Sequence, residues 1–150
     1  MNINMNVDDY NFYLRVCAMI FNKDKTKILI NGMKDRDFYI LPGGRVKFGE
    51  ESSYAIDREI QEEIGWKLEY NFKFFAENFV DTEDRKAHQI CICYEAVYDG
   101  KNEDKINENE GDFNTYYWID VSNLCNYNIK PKITMNMLNS NNIRFVSYED

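Results

Sequence analysis

Between Pro42 and Trp66 the chain reads PGGRVKFGEESSYAIDREIQEEIGW, and no other stretch restricts the fold as much. Proline cannot donate to a strand ladder and glycine lets backbone pass close to other groups. The apolar run Phe38–Leu41 is therefore predicted to be a short strand that stops at Pro42-Gly43-Gly44. Beyond the turn, Ile56, Ile60 and Ile64 recur every fourth residue and Gly65 stands where a left-handed C-cap falls, which predicts a helix over Glu51–Ile64. On that helix Glu59, Glu62 and Glu63 share a face about a quarter-turn from the isoleucine stripe. One face belongs to a core and its neighbour is acidic.

The remaining apolar runs read as strands. Leu14–Phe21 and Lys27–Ile30 flank the polar cluster Asn22–Lys25 and predict a hairpin. Trp66–Val80 and Ala87–Tyr98 predict two long strands joined by a charged loop, with Ile90, Ile92 and Tyr94 on one face of the second and Cys91 and Cys93 on the other. Asp99–Asp112 is expected to be an acidic loop, Tyr116–Ile119 a strand, and Asp120 or Ser122 the cap of a short helix around Asn123–Cys125. Pro131 opens a last predicted helix through Leu138, before an extended segment at Ile143–Val146. The pattern implies a mixed sheet between helices in a single domain over residues 1–150, since 150 residues suit one ordinary core.

Composition excludes some functions. The formal charge of −8 opposes stable, nonspecific binding to nucleic acid. No apolar run approaches transmembrane length, and the N-terminal MNINMNVDDY lacks the basic and apolar segments of a secretory signal, so a cytoplasmic protein without membrane partners is expected. Cys17, Cys91, Cys93 and Cys125 show no CxxC spacing and are read as reduced core thiols.

Three carboxylates at i, i+3 and i+4 of a rigid helix form a hard-oxygen donor set, and a divalent ion would relieve their repulsion. Glu59, Glu62 and Glu63 are the candidate metal ligands, with Mg²⁺ as cofactor and Mn²⁺ as a substitute. A carbonyl at Gly43 or Gly44 is free of side-chain obstruction and can add a further oxygen. Glu50, near the helix's positive end, is placed to pair with Arg58 and so to brace loop against helix. A solvated acidic surface accounts for the glutamates alone, but not for their coincidence with PGG, Glu50, Arg58 and Gly65.

Residues Gly44–Trp66 resemble the Nudix box, G-x5-E-x7-R-E-U-x-E-E-x-G-U with U bulky and aliphatic, and depart from it only at the final position, Trp66. The resemblance implies an α/β/α sandwich and metal-dependent hydrolysis of a nucleoside diphosphate linked to another moiety, such as ADP-ribose or a nucleoside triphosphate, oxidised ones included. By match to the motif, Glu59, Glu62 and Glu63 bind metal with the Gly43 carbonyl as a further candidate, and Arg58 and Glu50 orient the site. Glu63 is the first choice of base, with Glu62 beside it; Glu108, Glu110 or Asp112 are alternatives, as bases or as extra ligands. Homodimers are frequent in such a family.

Specificity lies outside the box. Arg15, Arg36, Arg45 and Lys47 are candidate phosphate contacts, with surface placement as the alternative. Phe38, Tyr39 and Phe48 are candidate base-stacking groups, or packing groups. Ala76-Glu77-Asn78-Phe79 and His88-Gln89-Ile90 resemble the E-N-F…H-E-I pattern of a bacterial ADP-ribose pyrophosphatase-like subgroup, with Gln89 where that pattern has glutamate. His88, the single histidine, is expected to bond structurally. The other readings are a nucleotide sensor without catalysis and an RNA 5′-end pyrophosphohydrolase.

Overall fold

The computed structural model describes residues 1–100, 114–130, 138, 140 and 142–149. Its strands are β1 (Asn4–Val7), β2 (Tyr10–Asn22), β3 (Lys27–Met33), β4 (Tyr39–Ile40), β5 (Gly43–Arg45), β6 (Asn71–Asp81), β7 (Lys86–Tyr98), β8 (Asn114–Asp120) and β9 (Arg144–Glu149). One helix, α1 (Ser52–Glu63), follows β5, and a 3-10 helix spans Val121–Asn126. The strands form one mixed sheet in the order β4-β3-β2-β7-β6-β9, with β1 and β5 also on β2 and β8 on β3. β2 and β7 run parallel from Asn11↔Ala87 to Asn22↔Tyr98, and the expected hairpins β2–β3 and β6–β7 are antiparallel.

Alternation along β2 and β7 separates two cores. Val16, Ala18, Ile20, Tyr94 and Ala96 face α1, where they meet Ile56, Ile60 and Ile64, all fully buried. Cys17, Met19, Cys91 and Cys93 face the other way, toward Leu124 of the 3-10 helix and Ile129, with Leu138 packed alongside. The four-residue isoleucine spacing thus places one stripe on the sheet, and strand alternation supplies its partner. The mixed α/β architecture is the one expected. The predicted helix over residues 131–138 lies outside the described residues except for Leu138, as does the acidic loop beyond Gly100.

Several local expectations are corrected. Trp66–Tyr70 are not strand: Gly65, at φ 83°, ends α1 with its N–H on Ile60 O and Gln61 O, and β6 begins only at Asn71. Trp66 is buried and stacks on Tyr98 with ring centroids 3.8 Å apart and planes 8° apart. The indole thereby fills the core position where the box has an aliphatic residue. Asp120 holds the N-cap position of the 3-10 helix, but its side chain makes no capping bond. Cys125 is exposed, unlike the three buried thiols, because the 3-10 helix turns Leu124 inward instead. Cys91 is hydrogen-bonded to Cys17 (Sγ–Sγ 3.1 Å), and that bond and burial push its thiol well above the usual range, so it stays protonated.

Candidate active site

Two glycines seat the loop. β5 lies antiparallel on β2 through Arg15↔Arg45, Val16↔Gly44 and Cys17↔Gly43, a strand the sequence read only as a stop. A Cβ on Gly43 would stand 2.1 Å from the Val16 carbonyl oxygen and 2.7 Å from Cys17 Cα, so backbone fills the space a side chain needs. A Cβ on Gly44 would stand 2.2 Å from the carboxyl carbon of Glu59. Glycine at position 44 therefore lets a helix carboxylate lie directly over the loop backbone.

Arg58 joins loop and helix. Its Nε and Nη2 donate to Glu50 Oε2 and Oε1 at 2.7 and 2.9 Å, a bidentate pair, and Nη2 also reaches the Arg45 carbonyl at 3.1 Å. Nη1 donates to Glu59 Oε1 at 2.8 Å and Glu62 Oε2 at 3.3 Å. Glu50 additionally accepts the Lys47 N–H at 3.1 Å, so it closes the loop rather than merely facing the helix end. The predicted brace is present. The Arg58 hydrogen bonds hold the Glu50 carboxyl down at about 2, from an ordinary 4.5, and Glu50 in turn raises Arg58. A carboxylate with a lowered folded-state pKa stabilises the fold above its unfolded value and loses that contribution as pH falls. The stability difference between the parent and Glu50→Gln is therefore expected to be full above about pH 4.5 and to vanish toward pH 2, which urea titrations at stepped pH would read. A difference constant across that window would contradict the pairing.

The three remaining carboxylates have distinct surroundings. The Glu59 side chain is 14% exposed under Gly44, whereas that of Glu62 is 47% exposed. Glu63 Oε2 accepts a 2.8 Å hydrogen bond from the hydroxyl of Tyr116, which β8 sends into the α1 core. Among the described residues no three acidic, histidine or cysteine side chains converge as a preformed ligand set. The donors nonetheless fit a hard divalent cation: all are carboxylate oxygens at i, i+3 and i+4 of α1, and the absence of a side chain at Gly44 leaves room for one of them beside the loop.

The predicted substrate contacts separate into groups. Arg15 and Arg45 stand opposite each other on β2 and β5. Arg15 donates to the Leu41 carbonyl at 2.9 Å; burial opposes its charge, and Cys91, Cys17, Glu63 and Tyr13 around it outweigh that and keep its pKa raised. Tyr39 lies elsewhere, edge-on to Tyr117 and Tyr127, and with Phe38, Arg36, Gly32 and Thr115 it lines a cleft of about 320 Å³. Phe48 is 56% exposed, and its N–H donates to the Met1 carbonyl. Glu108, Glu110 and Asp112 lie outside the described residues. His88 Nε2 is 3.3 Å from Glu77 Oε2 and its ring packs against Phe79, the structural role expected. Sequence reasoning missed Tyr116, although strand alternation beside Trp118 could have placed it toward the helix, and missed Tyr13 and Arg85.

The chain matches the NUDIX domain model over residues 12–137. It is 28% identical to the nucleoside triphosphatase NudI of Escherichia coli, over 76% of this chain and 86% of that protein. It is 26% identical to the RNA pyrophosphohydrolase of Ruthia magnifica, over 69% and 65% respectively. A solved MutT structure, from work on Aliivibrio salmonicida and Vibrio cholerae, superposes with a TM-score of 0.62 at 25% identity, covering 84% of this chain and 92% of that one. No described helix is long and apolar enough to cross a membrane.

Proposed function

The chain belongs to the Nudix family of hydrolases, and from that premise we propose that it is a pyrophosphohydrolase cleaving a nucleoside diphosphate linked to another moiety, either a nucleoside triphosphate or an ADP-ribose-like compound, and releasing a nucleoside monophosphate. The observation that carries this is the Arg58 junction: one guanidinium ties Glu50, Glu59 and Glu62 to the Arg45 carbonyl, beside a glycine that only Glu59 overlies. Hydrolases of the family need a divalent metal ion. Glu59, Glu62, Glu63 and the Gly43 carbonyl would hold it, with Mg²⁺ preferred and Mn²⁺ a substitute, and it would supply Lewis-acid polarisation of phosphate and water.

The protein's own groups supply position and proton transfer. Glu63, oriented by Tyr116, takes the proton of the attacking water as it adds to phosphorus. Arg58 keeps loop and helix in register and balances the carboxylates before substrate arrives. The cleft lined by Phe38, Tyr39 and Tyr117 is a seat for the base. The name of the Escherichia coli relative supports the triphosphate arm.

Incubation with Mg²⁺ and a panel of nucleoside triphosphates and sugar-linked diphosphates is expected to release nucleoside monophosphate, and Glu62→Gln to slow that release about 10²-fold or more, the scale of a lost electrostatic stabiliser. Tight binding of a nucleotide that stays intact after long incubation would instead mark a sensor. An unaffected Glu62→Gln enzyme would remove the carboxylate from the mechanism.

A further inference from the structure

We propose that Tyr13, Arg15, Arg45 and Arg85 form a cradle for a pyrophosphate group, which makes the substrate a nucleoside triphosphate rather than a sugar-linked diphosphate. This deepens the hydrolase reading and rests on it for the identity of the bond cleaved. Residues opposed across an antiparallel pair share a face, so the register Arg15↔Arg45 puts two guanidiniums side by side, and Tyr13, two residues before Arg15, shares that face. The Arg45 guanidinium lies 4.9 Å from the centre of the Tyr13 ring. Arg85, from the loop between β6 and β7, donates from Nη2 to the Tyr13 hydroxyl, and that hydroxyl donates to Gln89 Oε1 at 3.2 Å. Two strands and a hairpin loop thus bring three cations around one buried phenol, and β7 fixes that phenol through Gln89.

What distinguishes the cluster is the absence of a salt bridge among the described residues. The chain carries 26 acidic residues against 18 basic ones, yet among the described residues none of Arg15, Arg45 and Arg85 makes an ion pair. Arg15 bonds to the Leu41 carbonyl and reaches the Cys91 thiol, Arg45 lies over an aromatic face, and Arg85 bonds to a phenol. Gln89 completes the arrangement: its neutral amide fixes the Tyr13 hydroxyl where a glutamate would cancel part of the charge. Guanidiniums left without a salt bridge keep their planar forks available, and those forks match phosphate oxygens. The cradle adjoins the Arg58 junction, since the Arg45 carbonyl accepts from Arg58. A terminal phosphate carries about −1.5 to −2 at pH 7, whereas an ester-linked one lacks the second ionisation, so only a triphosphate tail matches this density of cations.

Inorganic pyrophosphate, titrated into the full chain by calorimetry with chelator present, is the direct probe. The parent is expected to bind it, and Arg85→Gln and Gln89→Glu each to weaken binding about tenfold, the worth of one charge-assisted hydrogen bond. In steady state the KM for nucleoside triphosphates should rise by a similar factor in Arg85→Gln, and more than the KM for ADP-ribose. Arg85 is exposed, so this variant leaves the core intact, and thermal unfolding would confirm it. Equal pyrophosphate affinity in the parent and both variants overturns the cradle, as does an equal rise in both KM values. Pyrophosphate binding that follows these expectations without turnover of any nucleotide would sink the hydrolase reading and leave the cradle standing.

Discussion

Glu63→Gln is expected to lower kcat by about 10²–10⁴-fold while leaving stability close to that of the parent, because general-base assistance by a positioned carboxylate is worth that much. Glutamine keeps the length and one oxygen, so Tyr116 can still donate, and only the capacity to take a proton disappears. Tyr116→Phe separates orientation from proton transfer. It removes the 2.8 Å hydrogen bond to Glu63 and should cost about three- to tenfold in kcat. Pre-steady-state and steady-state rates across pH would read both. If Glu63→Gln retains a parental kcat and Glu59→Gln or a loop-acid variant does not, the base lies elsewhere in the carboxylate set.

The sequence carried the helix and its acidic face because periodicity is a local property: three isoleucines at four-residue spacing and a glycine cap leave one conformation that buries the first and ends at the second. The Arg58–Glu50 brace was legible for the same reason, being set by a loop and the helix that follows it. Long-range register was not. Nothing local in RVKFGE says that Arg45 stands opposite Arg15, and nothing in DTEDRK says that Arg85 reaches Tyr13 from 72 residues away. The acceptor of Tyr116 became visible only once β8 was paired with β3 and so brought under α1. The five-residue error at the start of β6 has a similar origin: Trp66 and Leu68 are apolar enough for a strand, and only the aromatic stack of Trp66 on Tyr98 shows that they serve the helix core instead. The acids of one helix were readable, and Arg15 and Arg45 were candidates; that they stand together with Arg85, drawn from three elements, was not.

The adjacent substitutions Gly43→Ala and Gly44→Ala are expected to fail in opposite ways. At position 43 the added methyl meets fixed backbone, 2.1 Å from the Val16 carbonyl oxygen and 2.7 Å from Cys17 Cα, so β5 must leave β2 or β2 must bend. β2 is paired with β7 from Asn11 to Asn22 and packs both cores, so it cannot yield cheaply. Overpacking of this kind costs about 1–3 kcal/mol or more, and the loss of the β5 ladder adds to it, so Gly43→Ala should unfold many degrees below the parent or fail to accumulate. At position 44 the methyl meets the far end of a side chain, the Glu59 carboxyl group, which can rotate away. Stability should then change little, while Glu59 leaves both the loop and Arg58 Nη1 and activity falls about 10²-fold. Thermal melts and kcat for the pair give a crossed result, stability lost in one and catalysis in the other. Two variants with the same loss of stability would mean that Glu59 is held as rigidly as backbone, and two with the same activity would mean that the carboxylate over Gly44 takes no part in the reaction.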